Sequence, residues 1–170
     1  ICRKLTVSHT DVILGHFLKV FFTYVISYVI MDFYYFGYDM NNFHVMVDMV
    51  WTQEHYKHSL MEQHVHGHGA QLVGFYFLET PENCSRAMFH DPRGGKVQIN
   101  LPEAEMSNAT PASNLINFAP EPGMMIISNA WLPHSFGRHG SDKPLKFVHF
   151  NLSVRHVPAQ ACAAPAAEVI

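Results

Sequence analysis

Between residues 51 and 155 the chain alternates short apolar runs with clusters of turn formers. That rhythm constrains the fold more than any other feature. The runs are Leu72–Glu79, Arg86–His90, Lys96–Leu101, Met124–Asn129 and Leu145–Val154. Short apolar runs recurring with turn residues between them read as strands. The breaks fall at Pro81-Glu82-Asn83, Asp91-Pro92-Arg93-Gly94-Gly95, Pro120-Glu121-Pro122-Gly123 and Gly140-Ser141-Asp142. All supply the Gly, Pro, Asn or Asp that tight turns use. The expected class is mainly β with N-terminal helices, and regular short strands suggest a sandwich or barrel.

The flanks differ in character. Residues 1–50 are aromatic and β-branched, and Val12, Ile13, Phe17, Val20, Phe21, Tyr24 and Tyr28 recur at helical spacing. They are expected to form a helical support for a core spanning 51–155. A chain opening on Ile1 is expected to have residues before it. Val20–Met31 carries no formal charge, but Lys19 and Asp32 bracket it. The run falls short of the roughly 18 apolar residues of a membrane span. It is expected to be buried rather than to cross a membrane, and it does not read as a targeting peptide. Residues 156–170 are rich in Ala and Pro and are expected to be a loose tail.

Hydrophobic residues make up 48% of the 170 and charged residues 15%, so the chain is globular rather than disordered. The formal charge is −3 and no basic stripe is present, so nucleic acid is not an expected partner. Cys2, Cys84 and Cys162 are odd in number and far apart, so no disulfide framework can be drawn. This suits a reducing compartment, and a cytoplasmic location is expected. The Asn-x-Ser/Thr triplets at Asn83, Asn108 and Asn151 matter only for a secreted chain.

Histidine is the outlier, at 13 residues. Neutral imidazole is the commonest protein metal ligand, so the clustering of these residues carries chemical information. In Gln63-His64-Val65-His66-Gly67-His68-Gly69 the alternate histidines His64 and His66 would point to one face of a strand. On a loop, the two glycines would let the backbone wrap a site. Far downstream, a turn at Pro122-Gly123 feeds an apolar run that ends in Trp131-Leu132-Pro133-His134-Ser135. A His-x-His pair and one distant histidine suit a barrel whose strands return to one mouth. His55 and His58, three apart, are expected on the surface of a helix.

The order of motifs resembles a known family. His-x-His is followed by Gly74-Phe75-Tyr76-Phe77-Leu78, then Phe89-His90-Asp91-Pro92-Arg93, Pro122-Gly123, Trp131-Leu132-Pro133-His134-Ser135 and Phe147-Val148-His149-Phe150-Asn151. This is similar to 2-oxoglutarate/Fe(II) oxygenases of bacterial and marine-phage type, related in fold to prolyl hydroxylases. The resemblance covers roughly residues 50–154 and implies a double-stranded β-helix, a jelly-roll or cupin-like barrel. It implies Fe(II), 2-oxoglutarate and dioxygen as cofactors, and hydroxylation of an unidentified substrate with release of succinate and CO2. It makes His64 the first iron ligand and His134 the distal one.

Two departures from the family pattern stand out. The usual carboxylate of a His-x-Asp/Glu…His triad is replaced by His66, so the third ligand is either His66 or a carboxylate such as Asp91. The cosubstrate's remote carboxylate would be met in relatives by an Arg or Lys on the last strand. Here the candidates are Lys146 and Arg138, with Lys143 a solvated flank and Tyr76 a hydrogen-bond donor to the cosubstrate. Strand parity puts Lys146 with Val148, Phe150 and Leu152, opposite the face of Phe147, His149, Asn151 and Ser153. His149 and Asn151 are candidates for substrate or ligand-support contacts. Alternatives to the oxygenase are a metal-binding cupin with another chemistry, a zinc hydrolase lacking its Asp-His, and a non-enzymatic barrel of phage or structural type.

Overall fold

The computed structural model describes residues 2–4, 12–94 and 101–157, with side chains from residue 18 onward within these. Its elements are β1 (Cys2–Lys4), α1 (Val12–Tyr35), β2 (Phe43–His55), β3 (Met61–His64), β4 (Leu72–Glu79), β5 (Ala87–His90), β6 (Leu115–Phe118), β7 (Met125–Asn129), β8 (His134–Phe136) and β9 (Leu145–His156). The chain divides into two compact units. One comprises Ile1–Thr6 with Asp48–Leu152, and the other Val7–Val47 with Ser153–Ile170.

The strands form two sheets. A five-stranded sheet has the order β1-β2-β9-β4-β7, and a four-stranded sheet has the order β3-β8-β5-β6. The pairings with resolved register are antiparallel, for example Phe75 with His149, and Phe89 with His134. This is the expected mainly-β jelly roll. Its core in the first unit is aromatic: Val73, Phe75 and Phe77 of β4 meet Ala87, Phe89, Phe136, Leu145 and Phe147. Alternation on β4 and β9 explains the set, since residues two apart share a face. Truncating one such buried Phe to Ala would cost about 3–5 kcal/mol. On the other face of the same sheet the Phe150 ring lies over its cross-strand partner Gly74. A Cβ at Gly74 would stand 2.1 Å from the ring's Cζ.

The N-terminal region differs from expectation. There is one helix among the described residues, and it ends at Tyr35 rather than running on toward residue 50. The stop is a Schellman turn. Gly37 adopts φ +86°, its N–H donates to Tyr34 O at 3.0 Å, and Tyr38 N–H donates to Phe33 O at 2.9 Å. Tyr38 and Phe33 add the apolar contact of that motif, with ring centroids 5.5 Å apart. The chain then enters β2, where Val45 and Val47 alternate with Met46 and Asp48. Strand period replaces helix period seven residues before the expected boundary.

Burial of Val20–Met31 is also less than expected. Val25 and Val29, one turn apart, are buried, while Val20, Tyr24, Tyr28 and Met31 are exposed. The cause is geometric: a stripe one turn wide is covered, and residues rotated away from it face outward. By length and composition alone the segment Leu18–Tyr35 is long and apolar enough to cross a membrane. The run Lys96–Leu101 lies outside the described residues apart from Leu101, which is in a loop. The tail beyond Val157 lies outside them altogether.

Candidate metal centre

Three histidines converge in the first unit. His64 ends β3 and His134 opens β8, and the two are cross-strand partners beside a register shift. Directly opposed residues project to the same face, so the pairing alone brings their rings to 4.5 Å between centroids. His66 lies just past β3, where its backbone N–H donates to Ala130 O at 2.8 Å. That bond ties the loop to the turn feeding β8. The His66 ring stands 5.3 Å from that of His64 and 5.1 Å from that of His134. One ring nitrogen from each lies within 4.8 Å of the others.

The outer nitrogens show how the rings are aimed. His64 Nδ1 bonds Glu62 O at 2.8 Å, and His134 Nδ1 bonds Leu132 O at 2.9 Å. A carbonyl only accepts, so both Nδ1 atoms carry a proton, and in the neutral ring each Nε2 keeps a lone pair. His66 Nδ1 bonds Asn151 Oδ1 at 2.7 Å in the same sense. Buried Nε2 atoms of His66 and His134 have no hydrogen-bond partner. An orphaned buried acceptor is costly, and a cation in reach of these lone pairs removes the cost. Fixing the far nitrogen is how proteins orient metal-binding imidazoles.

Electrostatics agree. Burial lowers the pKa of His134 to about 4, against a smaller upward pull from Leu132 O, and His64, His66 and His90 lower it further. His66 is lowered by burial too, opposed by its bond to Asn151. These rings are neutral at neutral pH, so a metal would not compete with protons for their lone pairs.

A cavity of about 720 Å³ opens beside the histidines, with Trp51, Gln53, Met61, His149 and Asn151 among its lining. This is the polar face of β9 identified by parity. His149 is 2% exposed, and its pKa is lowered to about 2, first by burial and then by His66, His134, His64 and His55. Its Nε2 is likewise buried without a partner.

Other candidates lie elsewhere. Lys146 projects from the opposite face of β9 and pairs with Glu79 at 2.9 Å. Arg138 is exposed, Tyr76 is half-buried on the sheet face shared with Lys146, and neither lines the cavity. Asp91 accepts from the Arg93 backbone N–H at 2.9 Å and pairs with its guanidinium at 2.7 Å, which makes it a turn residue. Among the described residues the ligand cluster is all histidine. His55 departs from expectation. It ends β2 rather than sitting on a helix, is 3% exposed, and bonds Gln53 and Ser85. Trp51 and Gln53 were missed because no strand was assigned before Leu72, although both lie within the expected 51–155 core.

A protein-family profile described as "Putative 2OG-Fe(II) oxygenase" matches residues 49–151. Among solved structures, a 2OG-Fe(II) oxygenase family oxidoreductase from Burkholderia pseudomallei shares 12% identity at a TM-score of 0.51, over 65% of this chain and 45% of that one. The chain thus spans less than half the length of that relative. The epimerase SnoN of nogalamycin biosynthesis gives 11% identity and a TM-score of 0.47, over 74% and 56%. HygX from Streptomyces hygroscopicus, solved with nickel and 2-oxoglutarate, gives 14% and 0.42, over 64% and 57%. No curated protein matches the chain. Since the profile spans well over half of the residues, with the histidine cluster inside it, the chain belongs to the 2OG-Fe(II) oxygenase family.

Proposed function

We propose that this chain is an Fe(II)- and 2-oxoglutarate-dependent oxygenase of hydroxylase type, with His64, His66 and His134 holding the iron. The carrying observation is the trio of inward lone pairs, each with its Nδ1 anchored and two of them buried without partners. When bound, iron and 2-oxoglutarate would supply the chemistry with dioxygen as the oxidant: one oxygen atom enters a substrate C–H bond and the other enters succinate as CO2 is released. The protein's own share is orientation and exclusion. Leu132 O, Glu62 O and Asn151 Oδ1 lock the three rings. Phe75 and Phe89 pack against His134, with centroids 5.4 and 6.1 Å away, and keep water from its inner side. Three neutral donors leave the full charge of a divalent ion facing the cavity, which favours an anionic chelator such as a 2-oxo acid.

The all-histidine donor set also favours a second reading, a metal-binding cupin with another chemistry. An anaerobic titration with Fe(II) and then 2-oxoglutarate separates the two. A saturable visible charge-transfer band that is lost in His134→Ala supports the oxygenase. Tight iron binding with no band supports the cupin. No iron binding overturns both and leaves a barrel without this chemistry.

A further inference from the structure

The cavity beside the three histidines contains a fourth imidazole. His149 lies outside the set of ring nitrogens that fall within 4.8 Å of one another, although its ring is 5.1 Å from that of His66. Its ring packs on Trp51 at 4.0 Å and on Phe75 at 4.5 Å, which fixes its plane. Its Nδ1 is 3.3 Å from Gln53 Oε1. The same amide is 3.1 Å from His55 Nε2 through its nitrogen, and His55 Nδ1 is 3.2 Å from Ser85 Oγ. Gln53 therefore donates to His55 and accepts from His149. That leaves His149 Nε2 as a lone-pair acceptor, buried and without a partner, on a residue of the cavity lining.

The rest of the lining has matching chemistry. Among the described side chains, none of the lysines or arginines lines the cavity, and its one carboxylate is Asp48. Trp51, Met49, Met61 and Val65 supply apolar wall. With the metal's charge covered by an anionic 2-oxo acid, a lone-pair acceptor receives a donor and offers the oxygens of a further anion no bond.

We propose that this cavity takes as substrate a neutral or cationic molecule with an apolar body and an N–H or O–H group that His149 Nε2 receives. The assignment of that molecule as substrate rests on the oxygenase reading; the selectivity of the cavity does not.

The test uses Zn(II)-loaded protein with 2-oxoglutarate, in which no turnover occurs. The chain has two tryptophans, and Trp131 is 59% exposed. In a Trp131→Phe background, Trp51 emission reports on the cavity. The probes are benzyl alcohol, benzylammonium and benzylsulfonate, matched in body and different in head group. The alcohol and the ammonium are expected to give saturable shifts at concentrations about tenfold below any given by the sulfonate. His149→Phe, which keeps the ring and removes the acceptor, is expected to weaken them about tenfold, the worth of one buried hydrogen bond. Gln53→Leu frees the ring to take either tautomer and is expected to narrow the preference, which gives a second readout should the first variant fold poorly.

Sulfonate binding as tight as the alcohol would overturn the proposal, and would show the amide row running in the opposite sense, with His149 Nε2–H donating. An unchanged His149→Phe, or silence from all three probes, also overturns it. Metal content, measured separately, reports on the oxygenase reading. Selectivity in a protein that loads no metal supports the acceptor role and sinks that reading. Loading of metal and 2-oxoglutarate without selectivity does the reverse.

Discussion

Asn151 holds His66. The two are 85 residues apart in sequence, yet Asn151 Oδ1 accepts the His66 Nδ1–H at 2.7 Å. His66 sits on a loop past the end of β3, so this bond and the one from its backbone N–H to Ala130 O fix a ring that no strand constrains. Removing the acceptor with Asn151→Ala should weaken metal affinity by roughly 10- to 100-fold, the usual cost of losing a partner to a ligand's far nitrogen. Competition of Zn(II) against a chromophoric chelator measures it. Asn151→Asp keeps an acceptor and should restore most of the affinity. If Asn151→Ala binds metal as well as the parent, His66 is not a ligand.

The three histidines should also be separable one by one. His64→Ala and His134→Ala should each abolish stoichiometric iron loading, because each removes a lone pair from a set of three. His66→Ala is the informative variant. With His66 as third ligand, iron affinity collapses as in the other two. Full iron content in His66→Ala would show that His66 is not the third ligand. Asp91 would still have to leave Arg93 to take that place. Metal analysis of desalted protein decides, with circular dichroism confirming that each variant folds.

What the sequence disclosed of this site follows the range of the interactions. Proximity in sequence grouped His64 with His66, though only His64 is on a strand, and the turn at Pro122-Gly123 pointed to His134, because short spacings and turn chemistry are local. Parity on β9 likewise sorted His149 and Asn151 from Lys146, and the structure has Lys146 on Glu79 across the sheet. The supporting bonds were illegible for two reasons. His64 and His134 are each fastened to a backbone carbonyl two residues back, which any residue type supplies. Asn151 reaches His66 only once β9 is in register. The first half of β2 was misread because Val, Met and Phe at mixed spacing satisfy helix and strand patterns alike. His55 was misread separately: its spacing of three from His58 suggested a helix face, whereas it is buried at the end of a strand.

Acid should destabilise the metal-free protein in a defined window. Burial lowers the folded pKa of His55 and of His134 to about 4, from an ordinary value of 6.5. Above pH 6.5 both are neutral whether folded or not, and their neutrality costs nothing. Between about pH 6.5 and 4 the unfolded chain takes up protons that the folded chain refuses, so stability falls as pH falls. Each group contributes roughly 3 kcal/mol over the full window by linkage. Urea midpoints measured at pH 7 and pH 4.5 should drop accordingly, and His55→Phe should flatten the slope. A midpoint that does not move between these two pH values would mean that neither ring is buried as the structure has it.

The packing of Phe150 on Gly74 predicts an intolerance that chemistry at the site does not require. A methyl at position 74 would lie 2.1 Å from Phe150 Cζ and 2.2 and 2.8 Å from its two Cε atoms. Phe150 is fully buried and has no open side into which to swing. Gly74→Ala should therefore destabilise by about 1–3 kcal/mol, the range for overpacking a closed core. Strand propensity works in the other direction, because Ala is favoured over Gly in a strand interior by roughly 0.5–1 kcal/mol. A net loss would isolate the steric term. Phe150→Leu shortens the ring that causes the clash, so the double variant Gly74→Ala/Phe150→Leu should be more stable than the sum of the two single losses. A coupling of at least about 0.5 kcal/mol is expected for residues in direct contact. Denaturant unfolding of the parent, both single variants and the double variant closes the cycle, and strict additivity would show that the ring does not rest on Gly74.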